Sequence, residues 1–524
     1  GGAAGDPARP AGGRGAACGD GCWAWLAERR GGPAAVVVDP YSSGRFLLYE
    51  LHKRRLPVVC VRSSLELGDF FLNAYHKNRG YFARTVDHRS LPQTLSALRA
   101  LPWDIVAVFG GSEPGVQLAD ELAEALGLRA RNPTALTSAR KDKAEMQERL
   151  RACGVPAALQ LRSGNLPEML AWAEAQGSWP LVAKPTGSSG SDGIFFCQGP
   201  DDITMAHREL VGKVNPNGLV NAELALQEFL DGTEYIVDTV SHAGRHLCVA
   251  IWVYTKRRGV PWNARCIVSE GNRLLPAAGE VQDTLTAYAF KVLDAVGLHY
   301  GPCHTEIMLT SRGPILVEVN ARLHGLQGPH LIGLSTGTSQ ATYAVDALVD
   351  DGKLFEERYV SREKRHEYTL HKECLQLVLI SPVQGYLTRP INHAVQALGL
   401  ASVIEVLPSV QKGQFLNQTC DLNTAAGYVL LVHESAAKIE EDRLRIREAE
   451  KTGALYAVSP TPLPQSPLCS PTGRARVLSS PGAFASPRLQ SVEKAEEVWA
   501  DDAAPQGLSP DHAGGAEAVQ LVGL

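Results

Sequence analysis

The sequence predicts an α/β unit followed by α+β lobes: a parallel sheet near the start gives way to strand pairs and hairpins. Three observations carry this. Short apolar runs alternate with helix-spaced segments over residues 31–130, the pattern of a parallel sheet with crossover helices. Past the helix-spaced run at 139–154, strand-like stretches follow one another through turns. Both ends of the chain have compositions that cannot build a core.

Composition sets the outer bounds. A length of 524 residues is enough for about three domains. The 51 basic and 56 acidic residues leave a net charge of −5, which gives no footprint for nucleic acid or an anionic membrane. No apolar run approaches the roughly 18 residues of a membrane span. The eleven cysteines are scattered, and Cys18 and Cys22 lack partners for a zinc site. They read as reduced thiols of a cytoplasmic protein. Residue 1 is Gly, not Met, so the chain reads as a fragment or processed product, with organelle targeting left open.

Taken in order, residues 1–30 form a flexible segment. The first domain spans 31–130. In it "AAVVVDP" is a buried strand, "RFLLYELHKRR" a helix, "LPVVCVRS" and "WDIVAVFGGSEPG" further strands, and "VQLADELAEALGL" a helix. Ligands of such sheets sit at the carboxyl ends of strands, here Asp39–Gly44 and Gly110–Glu113. Residues 131–365 hold the helix "ARKDKAEMQERLRACG" and then the strands "WPLVAKP", "GIFFCQ", "ALQEFL" and "EYIVDTVSHAGRHLCVAIWVYTK". A smaller mixed lobe is expected at 366–455. From Pro460 onward there are nine prolines, six of them in Ser-Pro steps, so 456–524 reads as a disordered tail, preferred here as an inert extension over a phosphorylated one.

Three stretches point to chemistry. In "PLVAKPTGSSGSDGIFF" a strand ends on Lys184, and Gly187, Gly190 and Gly193 punctuate the loop that follows. Small residues let backbone N–H groups approach phosphate oxygens. The lysine precedes the glycines, so this is not a Walker A loop; the bland alternative is a flexible hairpin. In "ALQEFLDGTEYIVD" a strand end and turn near Phe229 and Leu230 can hold a purine through backbone groups, with Glu234 reaching ribose hydroxyls. In "HTEIMLTSRGPILVEVNARLHG" a hairpin turn near Arg312 sets Glu306 opposite Glu318. Alternation puts Glu318, Asn320 and Arg322 on one face and Ile315, Val317 and Val319 in the core. Facing like charges destabilise a sheet unless a divalent cation lies between them, and these are hard oxygen ligands suited to Mg²⁺. The bland alternative is a surface hairpin with two exposed acids.

The order "RKDKAEM", "LVAKPTGSSGSDGI", "LQEFLDGTEY", "HTEIML" and "LVEVNARLHG" resembles the ATP-grasp superfamily over about 31–435. It is most similar to carboxylate–amine ligases of the L-amino-acid ligase and carnosine synthase kind. The resemblance implies an ATP-grasp fold: an N-terminal parallel-sheet (pre-ATP-grasp) domain, central ATP-grasp lobes and a small C-terminal mixed lobe. Lys143 and Lys184 would bind ATP phosphates under a lid containing Gly187, Ser188, Ser189, Gly190 and Gly193, with Lys141 replacing Lys143 if the register slips by two. Gln227, Glu228, Phe229 and Leu230 would hold adenine, and Glu234 the ribose. Glu306, Glu318 and Asn320 would bind Mg²⁺ or Mn²⁺. Arg322, with Lys184, would be catalytic and steady an acylphosphate.

The implied activity joins a small-molecule carboxylate to an amine, both amino-acid-like, with release of ADP and phosphate; nucleic acid and membrane are not expected partners, and a homodimer stays open. Two rivals are an ATP-grasp carboxylase or other ligase, and a nucleotide-binding regulatory protein without catalysis. No biotin-attachment segment supports the former, and intact Glu306, Glu318, Asn320 and Arg322 speak against the latter. His304, His324 and His330 are candidates for substrate contact. Glu113, Trp252, Tyr254, Lys256 and His330 are candidates for the acceptor pocket.

Overall fold

The structure is a computed structural model that describes residues 31–66, 69–187, 193–215, 220–360 and 368–463. The flexible N-terminal segment and nearly all of the proline-rich tail lie outside the described residues.

The first apolar runs form β1 (Pro33–Val38), β2 (Val58–Arg62), β3 (Arg84–Asp87) and β4 (Asp104–Gly110). They pair in the order β3-β2-β1-β4, all parallel. The chain winds outward from β1 to β3 and returns on the other side of β1 for β4. The switch point, where such sheets bind ligands, therefore lies between β1 and β4. Two loops meet there so closely that a Cβ on Gly44 would run into the Gly111 carbonyl oxygen. Helices Arg45–Lys53 and Val116–Ala125 follow these strands. Three further elements here, helix Asp69–Asn78, β3 and helix Leu91–Arg99, were not expected. β3 is a four-residue, largely exposed edge, "RTVD", with no apolar run to announce it.

β5 (Gln160–Ser163), β6 (Leu181–Pro185), β7 (Phe195–Cys197) and β8 (Leu224–Glu228) make a small antiparallel sheet in the order β5-β8-β6-β7. Helices Leu166–Gln176 and Pro200–Leu210 cover it through Met169, Ala173, Ile203 and Ala206. The remaining strands are β9 (Gly232–His242), β10 (Arg245–Val260), β11 (Asn263–Leu274), β12 (Gly301–Thr310), β13 (Gly313–Asn320), β14 (Glu373–Leu379), β15 (Gly385–Leu387), β16 (Val403–Pro408), β17 (Phe415–Leu416), β18 (Gly427–His433) and β19 (Val458–Ser459). Eight of them form one antiparallel sheet in the order β13-β12-β9-β10-β11-β14-β18-β16.

The segment expected as a small mixed lobe has its own core, including Leu377, Ile391, Val429 and Ile446. Its strands also extend the central sheet, because β14 pairs with β11 through Gly271↔Leu377 and Asn272↔Gln376. That pairing puts residues from two distant parts of the chain on one wall of the cleft described next.

Candidate active site

The hairpin of β12 and β13 sets Glu306 opposite Glu318 and His304 opposite Asn320, as the turn at Arg312 predicts. The alternation differs in one place. Glu306 pairs with Glu318 and Ile307 with Leu316, so Val317 is an extra residue in β13. This bulge breaks the period of two. Leu316 and Val319 enter the core, while Val317 turns to the cleft.

Each facing acid has its own lysine. Lys143 Nζ lies 3.0 Å from Glu318 Oε2. Lys143 is the first residue of helix Lys143–Ala152, whose cap, Asp142, accepts hydrogen bonds from the N–H groups of Ala144 and Glu145. A cation at a helix N-terminus is opposed by the helix dipole, and Glu318 compensates it. Burial would lower the pKa of Lys143, yet the Glu318 charge and hydrogen bond raise it. Lys141 lines an outer crevice beside Glu113 instead.

Lys256 bridges the other acids, with Nζ 2.6 Å from Glu234 Oε1 and 3.3 Å from Glu306 Oε2. Burial pushes both carboxyls up, but Lys256 and His304 hold Glu306 well below the usual range, while Glu234, beside the Glu306 charge, stays raised. Lys184 is the penultimate residue of β6, only 6% exposed. Burial, helped by the charge of Lys143, pushes its pKa down to about 8.

Arg322 joins the parallel-sheet domain to this centre. Its Nε lies 3.1 Å from Glu113 Oε2, and Glu113 follows β4 at the switch point. Its second guanidinium nitrogen donates to Asn320 Oδ1 at 2.9 Å, and Asn320 Nδ2 donates to Glu318 Oε1 at 3.0 Å. Glu306, Glu318 and Asn320 thus bring three hard oxygen donors together, the kind of set that suits Mg²⁺.

One acid of the site went unread in the sequence. Asp238, fully buried on β9, accepts from Trp252 Nε1 at 2.7 Å, His304 Nδ1 at 3.0 Å and His324 Nδ1 at 2.7 Å. Burial would raise its pKa; the two histidines hold it low. Against burial, Asp238 and Glu306 lift the pKa of His304 to about 9, while burial lowers that of His324. His324 Nε2 therefore accepts from Asn272 Nδ2 at 2.9 Å. The signal available was one acid inside the apolar run "EYIVDTV".

The residues expected around adenine are partly committed elsewhere. Gln227 Nε2 donates to Gln160 Oε1 at 2.7 Å. Glu228 accepts from the Leu159 N–H at 2.9 Å and from Arg312 at 2.7 Å. The Arg258 guanidinium lies 4.4 Å from the centre of the Phe229 ring. Leu230 sits between β8 and β9, where only its backbone was expected to act. Gly187 and Gly193 lie within the β6–β7 connection, and Gly193 has φ +65°; Ser188, Ser189 and Gly190 lie outside the described residues.

Of the acceptor-pocket candidates, Tyr254 and Lys256 line the cleft with His304 and His324. Trp252 is buried against Asp238, and His330 stacks on Phe46 with ring centres 6.4 Å apart.

Comparison with known proteins gives this geometry a context. Residues 177–329 match the ATP-grasp domain family. Dapdiamide A synthase of Enterobacter agglomerans is 29% identical over 79% of this chain and 95% of its own length. Human carnosine synthase 1 is 30% identical over 28% of this chain and 18% of its own length. The crystal structure of an L-amino acid ligase from Bacillus licheniformis superposes with a TM-score of 0.61 at 18% identity, covering 80% of this chain and 98% of that one; this last likeness is one of fold.

Proposed function

The chain carries an ATP-grasp domain, and from that premise we infer that it is an ATP-dependent carboxylate–amine ligase forming an amide or peptide bond. The observation that carries the reading is the facing pair Glu306 and Glu318 within reach of Lys143 and Lys256, with Arg322 tied to the neighbouring Asn320. That set matches what transfer of a phosphoryl group to a carboxylate demands: fixed positive charge around the phosphates and hard oxygen ligands for a divalent ion.

In this reading a substrate carboxylate oxygen attacks the γ-phosphorus of ATP and ADP leaves. The resulting acylphosphate is attacked by an amine, phosphate departs, and the amide remains. Lys143 and Lys184 hold the phosphates. Lys184 is suited to this because its buried charge lacks a carboxylate within 4 Å among the described residues, so a phosphate relieves the cost of burying it. Arg322, steadied by Glu113 and Asn320, would hold the carboxyl and then the acylphosphate. Mg²⁺ or Mn²⁺, when bound, would be held by Glu306, Glu318 and Asn320 and would supply neutralisation of phosphate charge. The backbone between Glu228 and Leu230 remains the candidate adenine edge, with Glu234 near the ribose. Both substrates are small and amino-acid-like, as the relatives' names suggest.

The test is ADP release by the full chain with Mg²⁺, ATP and paired panels of carboxylates and amines. Release that requires both partners, with an amide in the product, supports the ligase. Release with bicarbonate but no amine would move the chain to the carboxylases.

A further inference from the structure

Two cysteines far apart in the chain meet beside the cleft. Cys266 lies on β11 and is 8% exposed. Cys420 lies between β17 and β18 and is half-buried. Cys266 packs with Val260, Val268 and Ile380, and Trp262 and Cys420 pack against this cluster. The Cys420 thiol also meets the Cys266 thiol in a hydrogen bond. Burial, with the Cys420 sulfur beside it, pushes the Cys266 thiol up to about 11.

The backbone fixes this meeting. β10 and β11 form a hairpin whose last pair is Val260↔Asn263, so Cys266 stands near its tip. Trp262 Nε1, in the turn, donates to the Thr419 carbonyl at 3.0 Å. The Thr419 N–H donates to the Ser381 carbonyl at 3.0 Å, and Thr419 Oγ1 accepts from the Ser381 N–H at 2.9 Å. The Cys420 N–H donates to Thr424 Oγ1 at 2.8 Å. Cys420 is therefore delivered to the hairpin by a loop bonded on both sides of it. Cys248 and Cys303 make the contrast. They too share a cluster, but they pair with Thr239 from its opposite sides. Two strand spacings, about 10 Å, separate them, beyond the reach of a disulfide.

We propose that Cys266 and Cys420 are a thiol pair that a hydroperoxide closes to a disulfide, a modification site that fastens the β10–β11 hairpin to the C-terminal lobe. The more exposed Cys420 reacts first. Its thiolate attacks one peroxide oxygen and the O–O bond breaks. The other oxygen leaves as an alcohol or water, taking the proton that Cys420 released. The Cys266 sulfur then attacks the Cys420 sulfenic acid. The S–S bond forms, the S–O bond breaks, and the departing hydroxide takes the Cys266 proton as water. The two thiols give up two electrons and the hydroperoxide accepts them. The bridge would join two walls of the cleft. Ser269, on the same strand as Cys266, pairs with Lys256, and Leu422, two residues beyond Cys420, lines the cleft with both. A bridge that closes so long a loop restrains the unfolded chain, so the oxidised protein should melt higher.

The experiment treats the full chain with hydrogen peroxide, blocks the remaining thiols with iodoacetamide and maps the unreduced digest by mass spectrometry. The expected product is a pair of peptides joined through Cys266 and Cys420, lighter by two hydrogens than the separate peptides and released by dithiothreitol. Tm should rise by a few degrees on oxidation and return on reduction, and amide exchange should slow over 260–268 and 417–424. Cys266→Ser should leave Cys420 as a sulfenic acid that dimedone traps. Cys420→Ser should leave Cys266 reduced, and neither variant should show the rise in Tm. Recovery of both cysteines as alkylated thiols after the exposed Cys153 has been oxidised overturns the pair. So does a Cys420 sulfenic acid that never condenses in the wild type, or a bridge from either cysteine to a different one. A Cys266–Cys420 bridge that changes neither Tm nor amide exchange overturns the fastening.

Discussion

Replacing Glu318 by Gln separates a metal ligand from a structural acid. The substitution removes the partner of Lys143, whose Nζ lies 3.0 Å away with only 13% of its side chain exposed. Breaking such a pair from one side costs about 3 kcal/mol. It also removes the negative charge facing Glu306, which returns up to about 1 kcal/mol. The net expectation is a nucleotide-free protein about 2 kcal/mol less stable, a fall in Tm of a few degrees. Sequence alone suggests the opposite sign, because the facing acids are visible there and the lysine that compensates one of them is not.

The second readout decides the role. With Mg²⁺ and a non-hydrolysable ATP analogue at about 100 times Kd, wild type should gain about 2.7 kcal/mol. A loss of about 100-fold in affinity leaves about 0.4 kcal/mol of that gain, so the ligand-induced Tm shift nearly disappears, and turnover with it. Differential scanning calorimetry with and without ligand measures both quantities. A variant that loses stability without ligand but keeps its full ligand-induced shift would refute the metal assignment.

Other perturbations follow from the same geometry. Lys184→Met should stabilise the ligand-free protein while weakening ATP binding. The folded-state pKa near 8 lies below the unfolded value of 10.5, so the unfolded chain holds more protons between them and wild-type stability rises with pH across that window. The gain, up to about 3 kcal/mol, should be full below pH 8 and fade toward 10.5; a gain flat with pH across melting curves argues against a buried charged Lys184. Asp238→Asn gives three N–H donors a group with one acceptor oxygen and should cost about 2–4 kcal/mol and most of the turnover; an unchanged urea midpoint would sink the proposed network. Gly271→Ala meets both the Gln376 carbonyl and an unfavourable φ and should destabilise by about 1–3 kcal/mol, read as a lower urea midpoint.

What the sequence disclosed and what it hid divide along chain distance. The β12–β13 hairpin was legible because its two strands are separated by a two-residue turn, so Glu306 and Glu318 could be paired by counting. The same counting misplaced Val317, since a bulge is one residue of irregularity that alternation cannot register. Lys143 was found by its order among motifs, but its ion pair with Glu318 joins a helix to a strand far along the chain. Asn272 and Gln376 were passed over because each is an ordinary amide until β11 pairs with β14. β3 was hidden for another reason: it is mostly exposed, so its four residues carry no apolar alternation.

The ion pairs of the cleft also bear on how Mg²⁺ and ATP arrive. Lys143 is neutralised by Glu318, and Lys256 by Glu234 and Glu306. ATP alone would have to draw Lys143 from its carboxylate, leaving a buried Glu318 uncompensated beside Glu306 and close to further negative charge. A divalent ion alone would take the carboxylates and leave Lys143 and Lys256 facing it. Arriving together, each component supplies what the other displaces: the lysine trades a carboxylate for a phosphate, and the carboxylate trades an ammonium for the metal. No charge is stranded in the low-dielectric cleft. On the proposed reading the existing pairs would favour the metal–nucleotide complex over either component by itself, and Lys184, with no carboxylate within 4 Å among the described residues, would meet the phosphates first.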